Sequence, residues 1–161
     1  LKAAKRKHWK EKGYLHYEHM NDEELTDSPH TVIFPNVTIS FLPDNLIFFR
    51  TEPDPRDPTK CTFDLWCMAF PVEGQAEAHG IMTQGLFPVT ECESETLDFD
   101  GGQGIPEIVD SIVWQDMMLA EAQQNGWESK GFGDYYLADQ ESRVRYFHDV
   151  LNDYLAGRKG S

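Results

Sequence analysis

The sequence predicts an α+β fold, with an antiparallel sheet packed on a long C-terminal helix. Three observations predict it. Residues 31–70 are rich in β-branched and aromatic side chains set between turn residues. From Pro106 to Asn125 the apolar side chains recur at helical spacing. A second helical stripe follows: Val144, Phe147, Val150, Leu151, Tyr154 and Leu155. At 161 residues the chain is long enough for one core, so a single domain is expected. Its parts are a basic helix and connection over 1–30, antiparallel strands over 31–70, a long excursion over 71–105 and two C-terminal helices over 106–161.

Ala3 to Lys12 favours helix by composition and Gly13 ends it. Tyr14 to Met20 alternates in a way that suits a short strand or a loop, and the acidic stretch from Asn21 to Pro29 reads as a surface connection. Thr31 to Leu42 reads as strand interrupted by Pro35, Pro43-Asp44-Asn45 as a turn, and Leu46 to Thr51 as the returning strand of a hairpin. Pro53, Pro55 and Pro58 punctuate a loop before a third strand over Thr59 to Phe70. Three strands with one apolar face require a helix across them. Residues 71–104 show no sustained period, and Gly101-Gly102-Gln103-Gly104 lacks the Lys-Ser/Thr of a phosphate loop. Pro106 suits a first helical turn, and that helix should stop at Gly126. Asp139 is the expected cap of the last helix, which Gly157 closes.

Charge narrows the partners. The net charge is -14, yet Lys2, Lys5, Arg6, Lys7, Lys10 and Lys12 fall in the first twelve residues beside Glu11 alone. All but one of the 28 acidic side chains therefore lie in the remainder, which argues against nucleic acid as a partner. The basic start reads as a solvated helix face or an extension docking on an acidic neighbour. No apolar run is long enough for a membrane span. Cys61, Cys67 and Cys92 form no C-x-x-C, and the first two share one face of one strand too far apart to bridge, so a cytoplasmic setting is expected. A chain that starts at Leu1 inside a helical pattern reads as a piece of something longer.

Asp116 is the candidate that matters most. At about 100° per residue it falls in the middle of a stripe formed by Val109, Ile112, Val113, Ala120 and Gln123. A carboxylate on a core face needs a cation, donors or a metal. Arg143 or Arg145 could pair with it. Alternatively, His16 and His19 could join it as a two-histidine, one-carboxylate site for ferrous iron. Nucleophilic catalysis finds no G-x-S-x-G and no cysteine with a histidine partner in sequence.

The stretch around Asp116 resembles a family. Asp116, Gln124, Gly126 and Ser129 follow the D-x7-Q-x-G-x2-S signature of Rieske non-haem iron oxygenase large subunits, the aromatic-ring-hydroxylating dioxygenases and their relatives. Phe34-Pro35-Asn36 followed by Pro43-Asp44 resembles their "FPN…LPD" hairpin, and Val144 to Leu151 resembles their closing "V-x-x-F-H" helix. The resemblance runs from Thr31 to Leu155. It implies a partial helix-grip fold of the START and birch-allergen kind, and Asp116 as carboxylate ligand of a mononuclear non-haem Fe(2+). Gln124, Gly126 and Ser129 are then motif residues, with Val109, Ile112, Val113 and Ala120 as pocket surface. It also implies dioxygen and a small aromatic substrate, electrons from a ferredoxin or reductase through a Rieske [2Fe-2S] cluster, and a trimer of the full subunit.

Two features of the family are missing from this sequence: the Asn-x-x-Glu-x-Tyr-His-x4-His motif that carries the two histidine ligands, and the Rieske C-x-H…C-x2-H cluster motif. The resemblance therefore implies an incomplete catalytic domain that is inactive alone. The competing expectation is a non-enzymatic helix-grip module that binds an apolar ligand, with no metal and with Asp116 satisfied by Arg143 or Arg145.

Overall fold

The computed structural model describes residues 1–70, 72, 74–79, 86–88, 96, 99, 111–134 and 136–158. The chain divides into two compact units, Leu1–Gln124 and Asn125–Ser161.

The first unit opens with helix α1 (Lys2–His8), followed by turns that close at Gly13, whose φ of 77° is a conformation that glycine adopts freely. Tyr14 to Met20, expected as strand or loop, contains a 3-10 turn over Leu15–Glu18. That turn buries Tyr17, only 2% exposed, beneath α1. Arg6 reaches across to fix it: its guanidinium donates to the carbonyl oxygens of Tyr17 and Met20 and to Asp22 Oδ1. The stretch read as a surface connection also contributes to the core. Asn21 Oδ1 accepts from the N–H groups of Glu23 and Glu24, while Glu24 Oε2 accepts from Asn21 N–H at 2.7 Å. The turn so formed turns Leu25 fully inward, at 0% exposure. A lone apolar residue in an acidic run has no period, so the pattern gave no sign of it.

Four antiparallel strands follow: β1 (His30–Ile33), β2 (Val37–Phe41), β3 (Asn45–Pro53) and β4 (Cys61–Ala69), paired in that order. The fold is α+β, as expected. The stretch read as one strand interrupted at Pro35 is in fact two strands joined by a turn at Phe34-Pro35-Asn36. Proline has no N–H and cannot continue a central ladder. Asn36 ties the turn to β3, since its carbonyl accepts from Thr51 N–H and its Nδ2 donates to Thr51 O. Pairing of Ser40 with Ile47 places both on one face of the sheet, where both are buried. On the other face Trp66 stacks on Phe48 at 4.7 Å, and Arg50 lies over Trp66 while its Nε and Nη2 donate to Asp64 Oδ2 at 2.8 and 2.6 Å. Cys61 and Cys67 both lie on β4. The excursion contains a short hairpin, β5 (Glu77–His79) with β6 (Leu86–Pro88), too brief to leave a period.

The turn between β2 and β3 is where the N-terminal segment is anchored. The Tyr17 hydroxyl donates to Asp44 Oδ1, Lys5 Nζ lies 3.5 Å from Asp44 Oδ2, and His16 Nε2 donates to the Pro43 carbonyl at 2.9 Å. Burial, and then the bond to Asp44, push the Tyr17 hydroxyl above its usual pKa of 10; burial and Asp44 raise Tyr14 in the same direction. A raised folded-state pKa means that the native chain holds the proton more tightly. Its contribution is complete below about pH 10 and is lost as pH climbs above that. Tyr17→Phe should cost about 1–3 kcal/mol at neutral pH, because Asp44 loses a buried donor. It should also flatten the fall in stability above pH 10. Urea melts of both proteins across that range check both effects, and an equal alkaline slope in the variant would rule out the assignment.

Helix α2 (Ser111–Trp127) spans 17 residues, and Pro106 to Asp110 of the expected helix lie outside the described residues, as do Gly101 to Gly104 and Cys92. It passes through Gly126 rather than stopping there. The expected packing of this helix across the sheet is not found: among the described residues α2 makes no extensive contact with any strand. The physical reason is in its sequence. Val113, Trp114, Met117, Met118 and Leu119 are spread around the helix and give it no single apolar stripe. Among its described side chains Val113 is buried, whereas Trp114, Leu119 and Trp127 are exposed.

In the second unit a 3-10 turn (Asp139–Glu141) leads into α3 (Ser142–Leu155). Glu141 Oε2 accepts from Ala138 N–H at 2.7 Å and closes the start of the 3-10 turn, whereas α3 has no side-chain cap, from Asp139 or from Glu141. Of the predicted stripe, Phe147, Val150 and Leu151 are half-buried within the chain, while Val144, Tyr154 and Leu155 are exposed. Gly157 closes the helix with φ 69°, as expected. No helix among the described residues is long and apolar enough to cross a membrane.

Candidate metal-binding helix

The candidate site is built on α2. The half-buried Met117 and Gln124 lie on the same side as the buried Val113, so the inward face of the helix is centred there. Asp116, about 60° away from Val113, is exposed, as are Ala120 and Gln123. The reading of Asp116 as the centre of a core-facing stripe is therefore corrected. Periodicity located one side of the helix, but Met117 and Gln124 decide which part of that side turns inward. Within its own unit, Asp116 has no hydrogen-bond or ion-pair partner among the described residues. An exposed carboxylate also needs none, which removes the reason for assigning it Arg143 or Arg145.

Of the proposed pocket residues, Val113 is buried and Ala120 exposed; Val109 and the side chain of Ile112 lie outside what is described. Gln124 lies two turns beyond Asp116 and is half-buried. In the second unit Gly126 O accepts from Ser129 N–H at 3.1 Å, and Ser129 O accepts from Phe132 N–H at 3.1 Å. The last part of the D-x7-Q-x-G-x2-S pattern thus forms the paired turns that end α2.

The other metal candidates do not join this helix. His16 is held by the Pro43 carbonyl, with Asp44 Oδ1 at 3.8 Å, and its ring packs 5.5 Å from Phe70. His19 is exposed. Among the described residues no three His, Cys, Asp or Glu side chains come together as a metal-holding group, so His16, His19 and Asp116 do not form one site. The three-residue spacing of the histidines would serve a metal from a regular helix, but His16 lies in a 3-10 turn and is needed to hold Pro43. The sequence reading missed the role of Asp44, which accepts from Tyr17 and pairs with Lys5. The sequence signals there were turn chemistry at Pro43-Asp44-Asn45 and the place of Pro43-Asp44 in the "FPN…LPD" resemblance.

A family model described as the catalytic domain of the ring hydroxylating alpha subunit matches residues 1–157. The chain belongs to that family. Neither a curated protein nor a solved structure was found to match it. The ring-hydroxylating alpha-subunit family agrees with the resemblance read from Asp116, Gln124, Gly126 and Ser129, and the match extends it to the N-terminal segment before Thr31. Membership gives the chain its class, a hydroxylating oxygenase with an aromatic substrate and electron-transfer partners.

Proposed function

We propose that Asp116 is the carboxylate ligand of a mononuclear non-haem ferrous iron in a Rieske-type oxygenase. Its two histidine co-ligands, on this reading, come from a segment of the full subunit that this sequence does not supply. The observation that carries the reading is the match of residues 1–157 to the ring-hydroxylating catalytic domain. The exposed Asp116 carboxylate, without a partner among the described residues of its unit, fits one ligand position. The described residues do not complete the set by themselves. A ferrous centre with two histidines and a carboxylate supplies dioxygen activation when bound. The substrate is a small aromatic compound. On this reading Val109, Ile112, Val113 and Ala120 border it. Electrons arrive from a ferredoxin or reductase by way of a Rieske [2Fe-2S] cluster elsewhere in the subunit, the full subunit works as a trimer, and it is a cytoplasmic protein. In the full subunit the sheet and the C-terminal helices belong to a helix-grip fold.

The family match favours this reading over the metal-free module. Metal analysis of this chain beside the intact alpha subunit tests it. Iron is expected near one non-cluster equivalent in the intact subunit and absent from the isolated chain. His19→Ala in the intact subunit should leave that iron in place. Stoichiometric iron in the isolated chain, or its loss from His19→Ala, would overturn the assignment.

A further inference from the structure

Tyr17 is a buried titratable side chain that the proposed reaction leaves unused, and its surroundings are more elaborate than packing requires. Its hydroxyl donates to Asp44 Oδ1. Tyr14 stacks on it with ring centroids 5.2 Å apart and planes 14° from parallel. Lys5 Nζ lies 5.1 Å from the centre of the Tyr17 ring and 3.5 Å from Asp44 Oδ2. His16 meets the same ring edge-on at 4.9 Å, with its Nε2 on the Pro43 carbonyl and 3.8 Å from Asp44 Oδ1. This set constrains how the phenol can react. Loss of an electron alone would leave a positive ring beside the Lys5 ammonium and away from water, which like charges disfavour. Loss of a proton alone would set a second anion against Asp44; burial, and then Asp44, already hold the hydroxyl in its neutral form. Loss of both together leaves no charge on Tyr17. Asp44 is neutralised along a hydrogen bond that already exists, and the positive charge gained falls on Lys5, whose side chain is 21% exposed and reaches water.

We infer that Tyr17 and Asp44 form a proton-coupled redox site, which gives one electron to the oxidised iron centre when no aromatic substrate is present to be oxidised. The inference rests on the oxygenase reading above, which supplies the oxidant. The step balances. The Tyr17 O–H bond breaks, its proton forms an O–H bond with Asp44 Oδ1, one electron reduces the oxidised iron centre, and Tyr17 is left as a neutral phenoxyl radical. The stacked Tyr14 is placed to exchange an electron with that radical. An electron from the reductase or ferredoxin class of donor, with the proton returned by Asp44, restores the phenol.

The test is electron paramagnetic resonance on the intact alpha subunit, frozen after two treatments. In one, tris(bipyridine)ruthenium(II) with persulfate and light supplies a one-electron oxidant whether or not iron is bound. In the other, the ferrous subunit meets dioxygen without aromatic substrate, and its iron content is measured on the same sample. Wild type is expected to give, in both, a tyrosyl radical that outlasts added ascorbate, because the ring is buried. Tyr17→Phe should lose that signal. Asp44→Asn keeps the phenol but removes the proton acceptor, and should yield about tenfold less of it, the factor expected for one charge-assisted hydrogen bond. A signal of wild-type size in either folded variant would overturn the site, and circular dichroism reads the fold. A radical with ruthenium and none with dioxygen at full iron content would overturn its role towards the iron. Absence of iron would count against the Asp116 assignment instead, and the ruthenium treatment would then decide. If Tyr17→Phe does not fold, Asp44→Asn decides, since it leaves the aromatic packing in place.

Discussion

Asp116→Ala in the intact alpha subunit is expected to lose its mononuclear iron and its hydroxylated product while melting at nearly the wild-type temperature. Separation of the two effects follows from the position of the side chain. Asp116 is exposed on α2 and has no hydrogen bond or ion pair among the described residues of its unit, so its removal should change stability by no more than about 0.5 kcal/mol. Loss of a carboxylate ligand, by contrast, should lower iron affinity by at least about 100-fold, since even partners of ligands cost 10- to 100-fold. Iron content, product formation and a thermal melt on one preparation read all three quantities. Iron at the wild-type level in Asp116→Ala would remove the residue from the site. A variant that loses iron only because it unfolds would show it in the melt.

Leu25→Ala should be the most damaging single change to the N-terminal part of the first unit. Leu25 is fully buried, and truncating a buried leucine costs about 2–5 kcal/mol through lost burial and the cavity left behind. The reciprocal bonds between Asn21 and Glu24 fix the turn before it, so the backbone there has little freedom to collapse into the space. Chemical denaturation of the variant should show a clearly lower midpoint with an unchanged slope. A midpoint equal to wild type would mean that Leu25 is not part of the cooperative core.

The two predictions differ in how far the sequence could have produced them. Asp116 could be singled out from the sequence because its spacing to Gln124, Gly126 and Ser129 is a pattern along the chain, independent of where the helix packs. The burial of Leu25 was not legible. It depends on a turn closed by two side chains of its own segment, inside a run whose composition is that of a solvated loop. His16 shows the same limit from the other side. Its spacing to His19 suggested a ligand pair, and only the fold shows that its ring nitrogen is already committed to Pro43.

By itself the sequence determined the α+β class, the strand-rich middle, the helix that carries Asp116 and the family. Those depend on local propensity, on period and on residue spacing, all of which act along the chain. Tertiary structure decided that Pro35 divides a strand in two, that the inward side of α2 centres on Val113, Met117 and Gln124, and that Asp44 anchors the N-terminal segment. Each of these is set by which distant groups meet. A proline's missing donor matters only beside a partner strand, a helix acquires an inside only from its neighbours, and an aspartate in a turn becomes an anchor only when a buried hydroxyl is brought to it.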